Sequence, residues 1–540
     1  MRTLIYIYVL FICASCAQIT PLTGGKKDDS PPMPVSFKPE NATLNFIAKT
    51  IEIQFNEYIA LKDLNNQLIV TPQLKEMPNI EVAGKKLKIT INEALLPNTT
   101  YKFAFGNAIV DLNESNVLQN FEYIFSTGTS IDSLSLTGQV INAFDNMPRK
   151  NVLVGLFDEH SPDSVIYKEK PLYIHKTDDY GKYKFTYLPQ KHFKTIAIND
   201  KNKNLMYDGS EEEIAFLDND VVSGDTIPQK LIMFKELPYK KFIKRSYLSE
   251  PGKLIIAYNT RREDFVSLKT NNLIKYAIND TKDTIEVYFR DNLDTLKTYI
   301  HYKEQKTDTI ITKIATPKTD RGNARAQTPK YNVQSNINKI LPFYTYPKFK
   351  LNFPVHRSLM DTSLIKLQEK QDSGYAIIPY ILVSDTGYVT KFDLQAQLKP
   401  ETEYTLSILP KALSQDEKRV NDSTILKFTT TVIDDYAQLN LKLFFPKKEQ
   451  YIIQLLDDKG NVYEEQYVEM PMSSTSEKAL AYKNIQPGVY TIKVIEDKNK
   501  NKRFDVGNYL NKTQPETIYI LNTSIKLMAG WEIEHEWKVQ

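Results

Sequence analysis

The sequence predicts an all-β protein made of tandem β-sandwich modules, with a two-module unit used twice. Three observations carry this. Short runs alternate polar and apolar residues, as in Thr50–Phe55 (TIEIQF), Lys86–Ile91 (KLKITI) and Tyr101–Phe105 (YKFAF). Period two places one face of a strand in a core. Turn signals separate the runs, at Ala83-Gly84-Lys85, Leu96-Pro97-Asn98 and Thr127-Gly128, as in a sandwich of many short strands. Finally, segments return at nearly constant spacing. Pro97 and Tyr101 reappear as Pro400 and Tyr404, and Phe125-Ser126-Thr127 as Phe428-Thr429-Thr430, each 303 residues on. Asp200-Lys201-Asn202-Lys203-Asn204 reappears as Asp497-Lys498-Asn499-Lys500-Asn501, 297 residues on.

The chain opens on Arg2, an apolar run Leu4–Ile12, and Cys13-Ala14-Ser15-Cys16. This is the layout of a secretory signal peptide, and the run is too short to span a bilayer, which takes about 20 residues. The small-small-Cys ending resembles the lipobox of bacterial lipoproteins, with Cys13 where leucine is usual. The resemblance implies cleavage before Cys16 and an N-terminal lipid on it. The competing reading is ordinary cleavage near Ala17, giving a soluble secreted protein. Cys13 and Cys16 are the chain's two cysteines, so a disulfide framework or cysteine nucleophile is excluded from the body. Residues 17–35 are rich in Gly, Pro, Lys and Asp and read as a flexible tether. Gly24-Gly25-Lys26 lacks the spacing of a phosphate loop. The tether resembles that of Bacteroidota lipoproteins, and Lys26-Lys27-Asp28-Asp29 resembles that phylum's surface-export signal.

The first body module is expected at 36–130. Its Ile51–Glu57 strand, the Pro97–Tyr101 segment, Asn107–Asp111 and the closing Phe125–Gly128 resemble the bacterial Ig-like domains of S-layer and surface proteins. That resemblance makes Tyr101 and Tyr404 corner tyrosines tying a strand to its neighbouring loop. Asp111–Leu118 is expected to hold at most a short helical turn. The second module, 131–235, opens on Leu136–Val140 and has a hairpin at Tyr180-Gly181-Lys182; it resembles the transthyretin-like, carboxypeptidase-regulatory sandwich, an accessory domain and not a peptidase. A third sandwich of uncertain type is expected at 236–316, and a polar linker at 317–337. The second Ig-like copy is placed at 338–433 and the second transthyretin-like copy at 434–540.

The 540 residues carry a net charge of +3, which gives no strong field for nucleic acid. The Asp-rich loops are the candidate metal sites. Asp200, Asn202, Asn204, Asp208 and Glu211 fall at positions 1, 3, 5, 9 and 12 of a loop, a spacing of hard oxygen donors suited to Ca2+. Leu205 replaces the glycine expected at position 6. The second loop offers Asp497, Asn499, Asn501 and Asp505, with Asn508 where Glu211 stood. The competing reading is a hairpin loop whose Asp and Asn side chains bond their own backbone. No His-Glu-x-x-His or Gly-x-Ser-x-Gly motif occurs. His175 and His192 read as ordinary surface or core histidines. The sequence thus points to a non-enzymatic lipoprotein held to the cell outer membrane by its lipid, facing the cell surface. Its expected partner is an outer-membrane protein complex such as a β-barrel machine. The alternatives are an adhesin or glycan-binding protein and an unrecognised hydrolase.

Overall fold

The computed structural model describes residues 28–290, 293–314, 330–415, 419–447, 449–470 and 477–540. Cys16, Lys26 and the first part of the tether lie outside the described residues. The described residues divide into two compact units: one runs up to 141 and adds 148–207 and 214–233, the other takes 142–147, 208–213 and the described residues from 234 on.

The first unit holds two sandwich modules. In the first, Pro34–Lys38, Thr50–Phe55, Lys86–Thr90 and Asn79–Ala83 form one antiparallel sheet in that order, and Ile69–Thr71, Thr100–Ala104 and Glu122–Ser126 form another. The alternation works as read. Ile51, Ile53 and Phe55 point into the core with Leu87, Ile89, Phe103 and Phe125, while Glu52 on the other face pairs with Lys86 at 3.1 Å. Each fully buried Ile or Phe contributes roughly 1.5–3 kcal/mol. The corner tyrosine forms: the Leu96 N–H donates to the Tyr101 hydroxyl at 2.9 Å. No helical turn forms within Asp111–Leu118. Asp111 instead accepts from the N–H groups of Asn113, Glu114, Ser115 and Asn116, and a side chain that satisfies four successive amides removes the reason to coil. A one-turn helix that the alternation did not announce lies at Leu64–Gln67.

The second module is built on an eight-stranded sheet whose order begins Tyr173–Lys176, Leu153–Asp158, His192–Ile198. Its core gathers Val154, Leu156, Phe185, Phe193 and Leu231. The hairpin at Tyr180-Gly181-Lys182 turns through Gly181 at φ +70°, where a Cβ would run into the Val140 carbonyl. The two modules are bonded to each other. Lys102 Nζ donates to Thr186 Oγ1 at 3.0 Å, the Asp132 N–H to Thr100 Oγ1 at 2.9 Å, and the Gln73 N–H to the Leu172 carbonyl at 2.7 Å.

The second unit carries three sandwiches. The region expected at 236–316 pairs a four-stranded sheet (Ile243–Glu250, Lys253–Tyr258, Thr284–Phe289, Leu273–Ile278) with a three-stranded one (Phe265–Thr270, Thr295–Tyr302, Thr307–Lys313). Arg262 closes one end: it lies 3.8 Å from the Tyr302 ring centre and forks onto Asp264 at 2.9 and 3.1 Å. The next module pairs a sheet of Val333–Ser335, Lys348–His356, Tyr388–Gln395 and Ile381–Ser384 with one of Ile340–Leu341, Thr424–Thr430, Glu403–Ile408, Ile365–Gln371 and Gly374–Ile377. Its first strand, Val333–Ser335, and the buried Tyr331 lie in the stretch read as linker, so the module begins upstream of 338. The polar composition of that stretch hid an edge strand with one large buried ring. The Tyr404 hydroxyl accepts the Lys399 N–H at 2.8 Å, repeating the corner of the first module. In the last module, Ala437–Phe444 pairs with Glu477–Ile485 and, in parallel, with Glu532–Lys538. A facing sheet contains Gln450–Leu456 and Gly488–Glu496.

Candidate functional site

The second Asp/Asn loop lies wholly within the second unit, just past the strand Gly488–Glu496. Asp497 is fully buried. Its Oδ1 accepts the Asn501 N–H at 3.0 Å, and its Oδ2 accepts the Lys502 N–H at 2.8 Å and the Gln450 amide at 3.2 Å. Asn499 Oδ1 also accepts the Asn501 N–H. The amide of Asn499 donates to Asp505 Oδ2 at 2.6 Å, and the amide of Asn501 to the same oxygen. All four oxygen-bearing residues named from the sequence are therefore in one connected cluster.

Two guanidinium groups reach that cluster. Arg503 Nε lies 3.3 Å from Asp505 Oδ1 and Arg261 Nη2 lies 2.9 Å from it, while Arg503 also pairs with Glu263. Burial works against the charge on Asp505, but the amides of Asn499 and Asn501 and the two arginines hold its carboxyl below the usual range. The hard donors fit Ca2+ by type, yet at Asp505 part of a cation's role is already filled by the protein. Among the described residues, no three His, Cys, Asp or Glu side chains are gathered into a metal cage.

The first loop is described in two halves. In the first unit, Asp200 accepts the N–H groups of Asn204 and Leu205 at 3.2 and 2.9 Å, Asn202 accepts that of Asn204, and Asn204 accepts that of Met206. Backbone geometry repeats between the loops. Lys203 and Leu205 have φ of 62° and 63°, and Lys500 and Lys502 have φ of 60° and 62°. Leu205 thus adopts the left-handed conformation that the missing glycine would have supplied, at a cost a glycine does not bear. In the second unit, Glu211 is exposed, and Glu212 is the buried carboxylate that accepts the Asp208 N–H at 3.2 Å.

Sequence reasoning missed the carboxylates that tie off the loops. Glu212 has a counterpart in Glu516, which accepts the Asp505 N–H at 2.9 Å and the Lys498 N–H at 3.0 Å. Burial pushes Glu516 up to about 7 in spite of those two bonds. The available signal was position: Glu212 and Glu516 each stand one or two residues before a short strand, Glu213–Phe216 and Ile518–Ile520. Counting a fixed twelve-residue loop chose Glu211 and Asn508 instead. Of the two histidines, His175 is half-buried with a lowered pKa, chiefly through burial, and His192 lies exposed beside Glu159 at 3.4 Å.

Comparison with known proteins places the first module. Residues 28–127 match the family model for the bacterial Ig-like domain, in agreement with its two facing sheets and corner tyrosine. No curated protein matches the chain. Among solved structures, the Bacillus anthracis TIE protein aligns over 96% of this chain and 76% of its own, at 10% identity and a TM-score of 0.14. The S-layer protein SbsC aligns over 92% and 68%, at 10% identity and 0.15. BcpA, the major pilin subunit of Bacillus cereus, aligns over 75% and 99%, at 10% identity and 0.14. Superpositions this loose define no shared arrangement. The chain is a tandem β-sandwich protein with a bacterial Ig-like domain at 28–127.

Proposed function

We propose that this protein is a non-catalytic lipoprotein of the bacterial cell envelope, anchored in the outer membrane through lipid on Cys16 and working as a binding subunit of an outer-membrane protein complex. The leader and tether support the anchor. One structural observation supports the binding role. In the first Ig-like module the sheet face bearing Thr100, Lys102 and Ser126 is buried under the following module. In the second copy the matching positions, Glu403, Thr405 and Thr429, stay exposed or half-exposed. A sheet face that one copy uses for docking is left open in the other. Calcium at the Asp200 and Asp497 loops is the accompanying proposal, as a stiffener of the scaffold and not as a catalyst.

The test is intact-mass analysis and crosslinked capture of the native protein from detergent-solubilised membranes. The expected result is a lipid-modified Cys16 and a stoichiometric barrel partner. An unlipidated, solitary protein rejects the proposal. A second reading, a surface glycan-binding protein, is favoured by the lysine-lined pocket on that same open face.

A further inference from the structure

The open face of the second Ig-like module is the outer side of the sheet formed by Ile340–Leu341, Thr424–Thr430, Glu403–Ile408, Ile365–Gln371 and Gly374–Ile377. Strand register arranges its outward side chains in rows. Tyr375 stands opposite Lys370, and Glu403 opposite Thr429. Lys370 Nζ bridges the two pairs by binding Glu403 at 2.5 Å. In the next row Ile377 faces Gln368, Gln368 faces Thr405, and Thr405 faces Lys427. Lys339 closes the end, its carbonyl accepting the Thr429 N–H at 2.9 Å. These rows surround a pocket of about 270 Å³ whose lining includes Lys339, Lys370, Tyr375, Glu403, Thr405 and Lys427. The floor is firm, because Tyr404, Leu406 and Phe428 pack the other side of the same strands into the core.

Charge and chemistry select the occupant. Three ammonium groups face one carboxylate, and Glu403 is engaged by Lys370, so Lys339 and Lys427 present positive charge to whatever enters. Lysine acts as a mobile point charge toward carboxylate or sulfate. The Lys370–Glu403 pair and the Thr405 hydroxyl supply both donors and acceptors, which neighbouring sugar hydroxyls need. Tyr375 offers an exposed ring beside them. At about 270 Å³ the recess is near the lower end of small-ligand pockets and takes up one part of the open face. In the first Ig-like module the corresponding face cannot serve: Thr100, Lys102, Ile124 and Ser126 take these positions, and Lys102 is bonded to Thr186 of the next module.

We propose that this face binds an acidic polysaccharide, its carboxylate or sulfate groups seated among Lys339, Lys370 and Lys427 and a sugar ring laid against Tyr375. This goes beyond the accessory-subunit reading, since the pocket works whichever protein the chain accompanies. The test is affinity electrophoresis and titration calorimetry of the full-length protein, with polygalacturonate as the carboxylate probe, dextran sulfate as the sulfate probe and plain dextran as the neutral one. The expected result is binding to one or both acidic polymers but not to dextran, with the stronger polymer naming the anion. Lys370→Glu with Lys427→Glu should weaken it about tenfold or more, as for loss of charged hydrogen bonds. Tyr375→Ala should weaken it less, Lys427→Arg should keep it, and Lys244→Glu, on a different module, should leave it unchanged. The proposal is overturned if no acidic polymer binds, or if Lys244→Glu is as damaging as the pocket variants, which would mean unspecific attraction. It is also overturned if the pocket variants spare glycan binding and instead release a copurifying protein, which would assign the face to a protein partner. Loss of the barrel partner with glycan binding intact would reject the accessory-subunit reading alone.

Discussion

Replacing Tyr101 with Phe removes one oxygen from the first corner and nothing else. The hydroxyl accepts the Leu96 N–H at 2.9 Å, and the ring stacks 5.5 Å from Phe125, a contact that phenylalanine preserves. The loss is therefore one hydrogen bond in a half-buried setting, about 1–1.5 kcal/mol. Since 1.4 kcal/mol is a factor of about ten, the Leu96 amide should exchange with solvent about tenfold faster. Tyr404→Phe in the second corner should cost more. There the hydroxyl accepts the Lys399 N–H at 2.8 Å and lies 3.5 Å from Glu369, a buried carboxylate that also holds Lys399 Nζ at 2.7 Å. The assay is hydrogen exchange read by mass spectrometry on peptides covering 94–101 and 397–404. It is preferable to fluorescence because the chain's two tryptophans, Trp531 and Trp537, both sit in the last module. Unchanged exchange at Leu96 in Tyr101→Phe would refute the corner assignment. An equal rise in peptides around Trp537 would show that the effect is general loosening and not a local bond.

Arg262→Ala strips two aromatic contacts and the fork onto Asp264 and leaves Asp264 beside buried tyrosines; a loss of about 3 kcal/mol in the third module would appear as faster exchange across Lys253–Tyr258 and Thr295–Tyr302, and protection equal to that of the parent protein would contradict it. Calcium should raise the melting temperature, and chelator should reverse the rise. Asp200→Ala and Asp497→Ala should each remove part of that response; a response that neither variant changes would remove both loops as its source. Lys493 is buried with its ammonium 3.1 Å from the centre of the Phe144 ring, and burial lowers it to about 8. A lysine lowered on folding holds fewer protons in the folded chain than in the unfolded one between about 8 and its ordinary 10.5, so stability should rise with pH across that window. Lys493→Met should stabilise the last module at pH 7 and flatten that rise, as followed by Trp fluorescence during denaturation; a slope unchanged by the substitution would remove Lys493 as its source.

Much of the fold was legible because strands advertise themselves residue by residue. The alternation in Thr50–Phe55 assigned each side chain to its side of the sheet, and burial follows it without exception. The corner tyrosines were legible because a five-residue local bond is written in a short motif that appears twice. What escaped depends on contacts distant in sequence or on side chains competing with the backbone. Asp111 quenched a helical turn by bonding four amides. The edge strand Val333–Ser335 is polar and owes its place to pairing with Lys348–His356. Glu212 and Glu516 were missed because the loops are closed by the chain on its way into the next strand. In the second loop that stretch covers eleven residues beyond Asp505, which no fixed loop length encodes.

The duplicated unit shows how the same sheet can acquire two fates through a few outward positions. Lys102 in the first copy is replaced by Thr405, Glu122 by Ile425 and Ile124 by Lys427. The first set suits a covered face: Lys102 stays only 9% exposed and is satisfied by Thr186 and by Glu122 at 3.3 Å. A buried lysine without such partners would be strongly destabilising. The second set leaves the face open, with Lys427 and Ile425 exposed and Thr405 half-exposed. The inward residues hardly change, with Tyr101 and Phe125 matched by Tyr404 and Phe428 on equivalent stacks of 5.5 Å in both copies. Transplanting the first copy's outward residues should therefore test whether the face is shaped for exposure. Thr405→Lys with Ile425→Glu should fold with the core intact, because no inward side chain is touched. It should also leave the added lysine solvated, with a stability within about 0.5 kcal/mol of the parent, as for surface substitutions. The reverse exchange, Lys102→Thr with Glu122→Ile, should loosen the first pair of modules, with exchange rising at Thr100–Ala104 and Lys182–Leu188 together. If the two exchanges had equal effects, the difference in burial between the copies would have no energetic meaning, and the open face would lose its standing as a binding surface.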